Sequence, residues 1–228
     1  MFDIFHLHDD FLIINKHPGV AFHRQGDFPG LPNLVRERTG LPHLFPVHRL
    51  DTITSGLLVF GRSQRAARDL AQQFCNHQVK KFYLAISNRR PKKKQGLVKG
   101  DMVKGRRGAW KLLRSSDNPA ISRFRSFSVG NGFRLYLVKP FTGKTHQIRV
   151  AMKSIGAPIH GDMLYSNQLG VVDSPDRGYL HAYGLEFQLS GEQHQFHCPP
   201  DKGSLFLKTE VQEVINNIKE PDTLFPLG

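Results

Sequence analysis

Residues 121–140 read ISRFRSFSVGNGFRLYLVKP, two alternating apolar–polar runs on either side of Gly130-Asn131-Gly132. Period-two alternation places one set of side chains on each face of an extended chain. Three successive residues that tolerate positive φ close such runs into an antiparallel hairpin. A lone hairpin is marginal in water, so further strands and helices have to cover it.

The rest of the chain supplies them. IFHLH (4–8) and FLIINK (11–16) form a second hairpin around Asp9-Asp10, with Pro18-Gly19 as the next break. GLLVF (56–60), VKKFYLAIS (79–87), YLHAYGLEFQL (179–189) and HQFHC (194–198) read as further strands. PNLVRERTG is a short helix ending at Gly40. Ser63 caps a helix through Phe74, with Ala66, Ala67, Leu70, Ala71 and Phe74 as its apolar stripe. Thr145 to Ile155 is a helix closed by Gly156, with Ile148, Met152 and Ile155 facing one way and His146, Arg149 and Lys153 another. SLFLKTEVQEVINNIK closes the chain with a helix. Many strands with segregated helices predict an α+β fold, a mainly antiparallel mixed sheet flanked by helices. No repeat or linker interrupts it, so 1–228 is expected to be a single domain.

Charge points to the partner. Lys+Arg number 32 against 19 Asp+Glu, a formal net charge of +13. Segment 89–108, RRPKKKQGLVKGDMVKGRRG, carries nine of these cations and a single Asp, and is expected to be a loop or irregular hairpin. Such density repels itself in a free protein and is relieved by a phosphate backbone. Arg89, Arg90, Lys92, Lys93, Lys94, Arg106 and Arg107 are therefore candidate residues for RNA or DNA contact, supplying affinity and little sequence information. An anionic membrane would ask for a basic amphipathic helix with bulky apolar residues on its other side, and the chain has none. Two isolated cysteines, Cys75 and Cys198, fit a reducing cytosol. Asp3, Asp9 and Asp10 stand where a signal peptide needs positive charge, so a cytoplasmic location is expected. The twelve histidines lack zinc-ligand spacing, and there is no P-loop, dinucleotide fingerprint or serine elbow. No metal and no cofactor are expected.

HRLDTITSGLLVF, residues 48–60, sets one carboxylate, Asp51, between Arg49 and an apolar run. Alone, Asp51 reads as a turn cap, a salt-bridge partner or a nucleophile, and the cap is the simplest. Two further stretches bear on it. Tyr83 sits mid-strand among apolar neighbours with a phenol to place, and Arg149 lies in the first turns of the helix that follows a Gly-Lys-Thr turn.

Together and in this order, HRLDTITSGLLV, KFYLAI, TGKTHQIRV, GAPIHGDMLY and YLHAYGLEF resemble the RluA-type family of RNA pseudouridine synthases. FLIINKHPGVAFH looks like that family's first motif, and the likeness runs from about residue 5 to residue 200. It implies the pseudouridine synthase catalytic fold and a cofactor-free isomerisation, in which the uracil N1–C1′ bond breaks and C5 joins C1′. Asp51 matches the family's essential aspartate, attacking C1′ or C6 covalently or removing the C2′ proton. Arg149 is implied to pair with Asp51 and hold it ionised, and Tyr83 to stack on the uracil. Arg49 is implied to fill the RNA stack where the target nucleotide leaves, Leu180 to pack on the extruded base and His181 to support the site. His48, Lys81, Lys144 and His146 complete the implied RNA-binding set.

The chain departs from the pattern at His17-Pro18, where proline is displaced by one, at Lys144, where arginine is usual, and at Ala151, where a histidine is expected. The first motif stands at the very start of the sequence, so the N-terminal S4 domain of many relatives is expected to be lacking. The expected substrate is a stem-loop of structured ribosomal RNA, transfer RNA or both, acted on by a monomer. The alternatives are a synthase for transfer RNA only and a non-catalytic RNA-binding or RNA-folding factor.

Overall fold

The structure, a computed structural model, describes residues 1–166 and 174–225. Its strands, in chain order, are β1 (Phe2–Leu7), β2 (Phe11–Lys16), β3 (Phe45–Pro46), β4 (Thr54–Gly61), β5 (Lys80–Ser87) and β6 (Gln95–Gly100). They continue with β7 (Met102–Lys104), β8 (Trp110–Leu112), β9 (Ala120–Ser128), β10 (Arg134–Pro140), β11 (Leu180–Leu189) and β12 (Glu192–His197). The helices are α1 (Leu31–Thr39), α2 (Gln64–Cys75), α3 (Gln147–Ser154) and α4 (Thr209–Asn216). The fold is the expected α+β class with mainly antiparallel pairing. No described helix is long and apolar enough to cross a membrane.

The chain forms two compact units. One is Met1–Lys80 with Ala182–Cys198, the other Lys81–His181 with Pro199–Gly228. In the first, β1, β2 and β4 pair antiparallel, β4 neighbours β11, and β12 pairs antiparallel with β11. β2 and β4 are buried along their whole lengths, which is why FLIINK and TSGLLVFG are apolar runs with little alternation. Ser63 caps α2 as expected, its hydroxyl accepting the Ala66 N–H at 3.1 Å. Ala66 and Leu70 then join Phe11, Ile13, Leu57, Val59, Leu185 and Phe187 in the core. Gly56 has φ 106°, and a Cβ there would lie 2.3 Å from the Ala182 carbonyl oxygen. Only glycine lets the strand that follows the Asp51 turn run that close to β11.

In the second unit the order is β5-β10-β9-β6, all antiparallel. The hairpin at 121–140 forms with Arg134 opposite Ser128, and Gly130, Asn131 and Gly132 take φ values of 77°, 49° and 76°. The basic stretch is more regular than expected. Gln95–Gly100 pairs with β9, while β7 and β8 make a small hairpin whose turn holds Arg106 and Arg107. Gly96, Val98 and Gly100 are the less exposed positions, alternating with exposed Gln95, Leu97 and Lys99, and the surrounding charge density hides that weak alternation in the sequence. Helix α3 begins at Gln147, two residues later than expected, because His146 has φ 57° and cannot continue a right-handed turn. The Gln147 side chain closes the preceding turn instead. Its Oε1 accepts the Lys144 N–H at 2.9 Å and the Thr142 hydroxyl at 2.7 Å.

Candidate active site

Asp51 stands on a braced turn in the first unit. Lys16, at the end of β2, is fully buried, and its Nζ donates to the carbonyls of His17 (3.0 Å), Val20 (2.9 Å) and Thr52 (3.3 Å). The Thr52 carbonyl also accepts the Gly19 N–H at 2.8 Å, and the Thr54 N–H closes the turn on the Asp51 carbonyl at 3.0 Å. A buried ammonium is tolerated when its donors are matched, and here the match ties the first motif to the turn that carries Asp51. The flanking residues alternate. Leu50 is buried, Asp51 half-buried and Arg49 exposed, with its Nη1 3.0 Å from His23 Nε2. His48 is engaged inside the fold, accepting the Val59 N–H at 3.0 Å and stacking on Phe74 at 4.3 Å.

Lys16→Met keeps the apolar stem and removes the donors. It is expected to cost about 1–3 kcal/mol or more, the penalty of a buried unsatisfied group. It should lower kcat with little change in KM, since the lysine orients the turn from behind. Thermal melts and turnover test this, and wild-type values for both would remove Lys16 as the brace.

Arg149 belongs to the second unit. The expected division of α3 into an apolar and a cationic row needs correcting here, because Arg149 is buried. Its Nε donates to Asp162 Oδ2 at 2.7 Å and its Nη2 to Asp162 Oδ1 at 2.8 Å, a side-on fork. Nη1 lies outside that fork. Asp162 has no exposed surface. The Arg149 guanidinium lies 4.9 Å from the Tyr165 ring centre. The Tyr165 hydroxyl sits 2.9 Å from His146 Nδ1 and accepts the Trp110 backbone N–H at 2.8 Å. Gly161 makes the Asp162 turn possible: at φ 76°, a Cβ there would be 1.9 Å from the Arg177 carbonyl oxygen.

Tyr83 is on β5 opposite Val138, half-buried between the fully buried Phe82 and Leu84. Lys81 is buried, and burial lowers its pKa, a poor setting for a phosphate contact. Leu180 and His181 are both buried at the start of β11. Ahead of them, Arg177 donates to the carbonyls of Gly178 (3.0 Å), Leu180 (3.0 Å) and Lys202 (3.1 Å). Burial brings the Arg177 guanidinium down to about 10. Ala151 is buried within α3. Arg89, Arg90, Lys92, Lys93, Lys94, Arg106 and Arg107 are all exposed. Lys144 is half-exposed, its Nζ donating to Asn118 Oδ1 at 2.7 Å.

Sequence reasoning missed Lys16, Asp162, Tyr165 and Arg177. All four stand inside or beside the motif runs, but as residues that hold other residues they carry no chemical signature of their own.

The RNA pseudouridylate synthase family model matches residues 10–154. An RNA pseudouridine synthase of Haemophilus influenzae, described as uncharacterised, is 46% identical over 93% of this chain and 94% of its own. The dual-specificity RNA pseudouridine synthase RluA of Pasteurella multocida is 33% identical over 87% of this chain and 93% of its own. Among solved structures, human RNA Pseudouridylate Synthase Domain Containing 1 superposes with a TM-score of 0.73 at 26% identity, covering 88% of this chain and 84% of that one. A matched family model over more than half of the chain, with relatives of this identity along almost its whole length, makes the protein a member of the RluA family of RNA pseudouridine synthases, an isomerase.

Proposed function

We propose that the protein converts a uridine of structured ribosomal RNA, transfer RNA or both to pseudouridine, with Asp51 as the reacting carboxylate. The target nucleotide is flipped out of its stem-loop, and Arg49 fills the gap left in the stack. Unstacking costs a few kcal/mol, and a planar, exposed guanidinium is suited to offset it. Asp51 attacks the nucleotide or removes its C2′ proton. The N1–C1′ bond breaks, the uracil turns, C5 bonds to C1′, the C5 proton leaves and N1 gains one.

The observation that carries this reading is the Arg149–Asp162 fork. A guanidinium clamped side-on by a buried carboxylate has one orientation, and its proposed task is to hold Asp51. Tyr83, set on a strand with buried neighbours on either side, presents a fixed phenol to stack on the uracil. Leu180, its carbonyl held by Arg177, packs on the extruded base. The exposed cations of 89–107 and Lys144 dock phosphates. His48 and Lys81 act within the fold, His146 supports Tyr165, and His181 supports the site. The two units serve as one catalytic domain, acting as a cytoplasmic monomer.

The relative named as a dual-specificity RNA pseudouridine synthase supports keeping more than one RNA in the reading. Unmodified ribosomal RNA and transfer RNA transcripts, incubated with the protein and mapped by carbodiimide-blocked primer extension, test the substrate. A new pseudouridine in a stem-loop is expected. Modification of transfer RNA alone would narrow the reading, and none in any RNA with folded protein would overturn it.

A further inference from the structure

A cavity of about 460 Å³ opens in the second unit, outside the Arg149–Asp162 fork. Met102 and Trp110 of the β7–β8 hairpin line it, with Asp101, Asn118, Lys144 and Thr145. Its walls are fixed by hydrogen bonds. Asp101 accepts the Asp117 N–H at 3.1 Å and the Asn118 N–H at 2.8 Å, pinning the turn. A hydrogen bond from the Ser115 side chain, foremost, together with these two amides and the charge of Lys144, holds the Asp101 carboxyl below the usual range. Asn118 Oδ1 in turn receives Lys144 Nζ, and the Lys144 backbone is held by Gln147 at the start of α3. The Trp110 backbone N–H donates to the hydroxyl of Tyr165, whose ring the Arg149 guanidinium lies against.

The lining has a definite chemistry. Trp110 and Met102 give flat and soft apolar surface, suited to stacking a base. Asp101 and Asn118 give acceptors, which pair with an exocyclic amine. Lys144 gives one cation for a neighbouring phosphate, and Arg106 and Arg107 lie at the tip of the same hairpin. The carboxylates of Asp101 and Asp117 at the wall disfavour a free anion as occupant. Size agrees, since sites for small ligands run roughly 300–1,000 Å³.

We propose that this cavity is a second nucleotide subsite, which stacks a non-target base on Trp110 and favours bases with an exocyclic amine (cytosine, adenine, guanine) over uracil. It rests on the reading of the protein as an enzyme of structured RNA. It extends that reading by assigning part of the sequence preference to the hairpin. The seated base stacks on the side chain of the residue whose backbone N–H holds the hydroxyl of Tyr165, the ring that packs on Arg149.

Trp110 is the only tryptophan in the chain, so indole emission reports on this place alone. The wild-type protein is titrated with short oligoribonucleotides of one backbone, whose central residue is cytidine, adenosine, guanosine, uridine or an abasic ribose. Quenching by the amine-bearing bases is expected, with uridine weaker by about fivefold or more, a single hydrogen bond's worth, and none with the abasic chain. Equal quenching by the abasic or uridine oligomer, or none where anisotropy shows the oligomer bound, overturns the subsite. A kinetic arm follows tritium release from uracil-C5-labelled cellular RNA. Trp110→Leu should raise KM by about fivefold to a hundredfold, the range of one lost stack, and Trp110→Phe should restore most of it. An unchanged KM in a folded Trp110→Leu protein contradicts the proposal. No release by the wild-type protein would instead strike at the catalytic reading, while the quenching result would still decide the subsite.

Discussion

Asp162→Ala is expected to lower stability by about 3–5 kcal/mol, the cost of leaving one member of a buried ion pair without its partner. For a chain of this size that is roughly 6–20 °C in Tm. The magnitude follows from burial. Asp162 has no exposed surface, Arg149 is only 6% exposed, and both fork bonds are under 3 Å. With the carboxylate gone, water cannot readily reach Nε and Nη2, and the guanidinium is free to turn on its side chain. Turnover should therefore fall by more than the folded fraction explains.

A double replacement separates the two effects. A buried ion pair exchanged for apolar residues of similar volume is often neutral in stability or better. Arg149→Met with Asp162→Leu is thus expected to recover much of the lost Tm and none of the lost turnover. Recovery of both would mean that the pair serves only packing. A wild-type Tm in Asp162→Ala would mean that the fork contributes little in solution. Differential scanning calorimetry and single-turnover assays on the same preparations decide between these.

What could be read from the chain depends on whether a residue signals its own role. The hairpin at 121–140 was legible because alternation and the Gly-Asn-Gly turn are local properties. The cap at Ser63 was legible for the same reason. Asp51, Tyr83 and Arg149 stand out as reactive types within long specific runs. Their supports do not. Lys16 reads as a surface lysine until three carbonyls converge on it. Asp162, thirteen residues beyond Arg149, reads as a turn former. Arg177 reads as one more cation in a basic chain, yet it is buried among carbonyls. Each answers a long-range need for a hydrogen-bond partner, and a sequence period does not encode that. The late start of α3 is a case of tertiary override: Gln147 bonds to Ile121 and Ser122 across the unit, and His146 takes the left-handed conformation ahead of it. In 89–108 the opposite happened, and nine cations drew attention away from the β6 pairing beneath them.

These supports bear on how the fold produces its activity. In the proposed mechanism, isomerisation of a nucleotide that brings its own leaving group and nucleophile asks for one carboxylate, one orienting cation and one flat ring, all held still. In the first unit the Asp51 turn is fixed from behind by a buried lysine. In the second, Arg149 is fixed by a buried carboxylate and a tyrosine face. Much of the hydrogen bonding around both thus removes conformational freedom before substrate arrives.

The most direct measurement is single-turnover tritium release from uracil C5 in a modifiable RNA, comparing the wild-type protein with Asp51→Asn. The amide keeps the size and planarity of the carboxylate and removes its charge and its nucleophilicity. Expected is a fall in the release rate of about four orders of magnitude or more, on the scale seen when a sole reacting group is removed, with RNA affinity by anisotropy changed by less than about tenfold. Release by Asp51→Asn at the wild-type rate would contradict the assignment of the chemistry to Asp51.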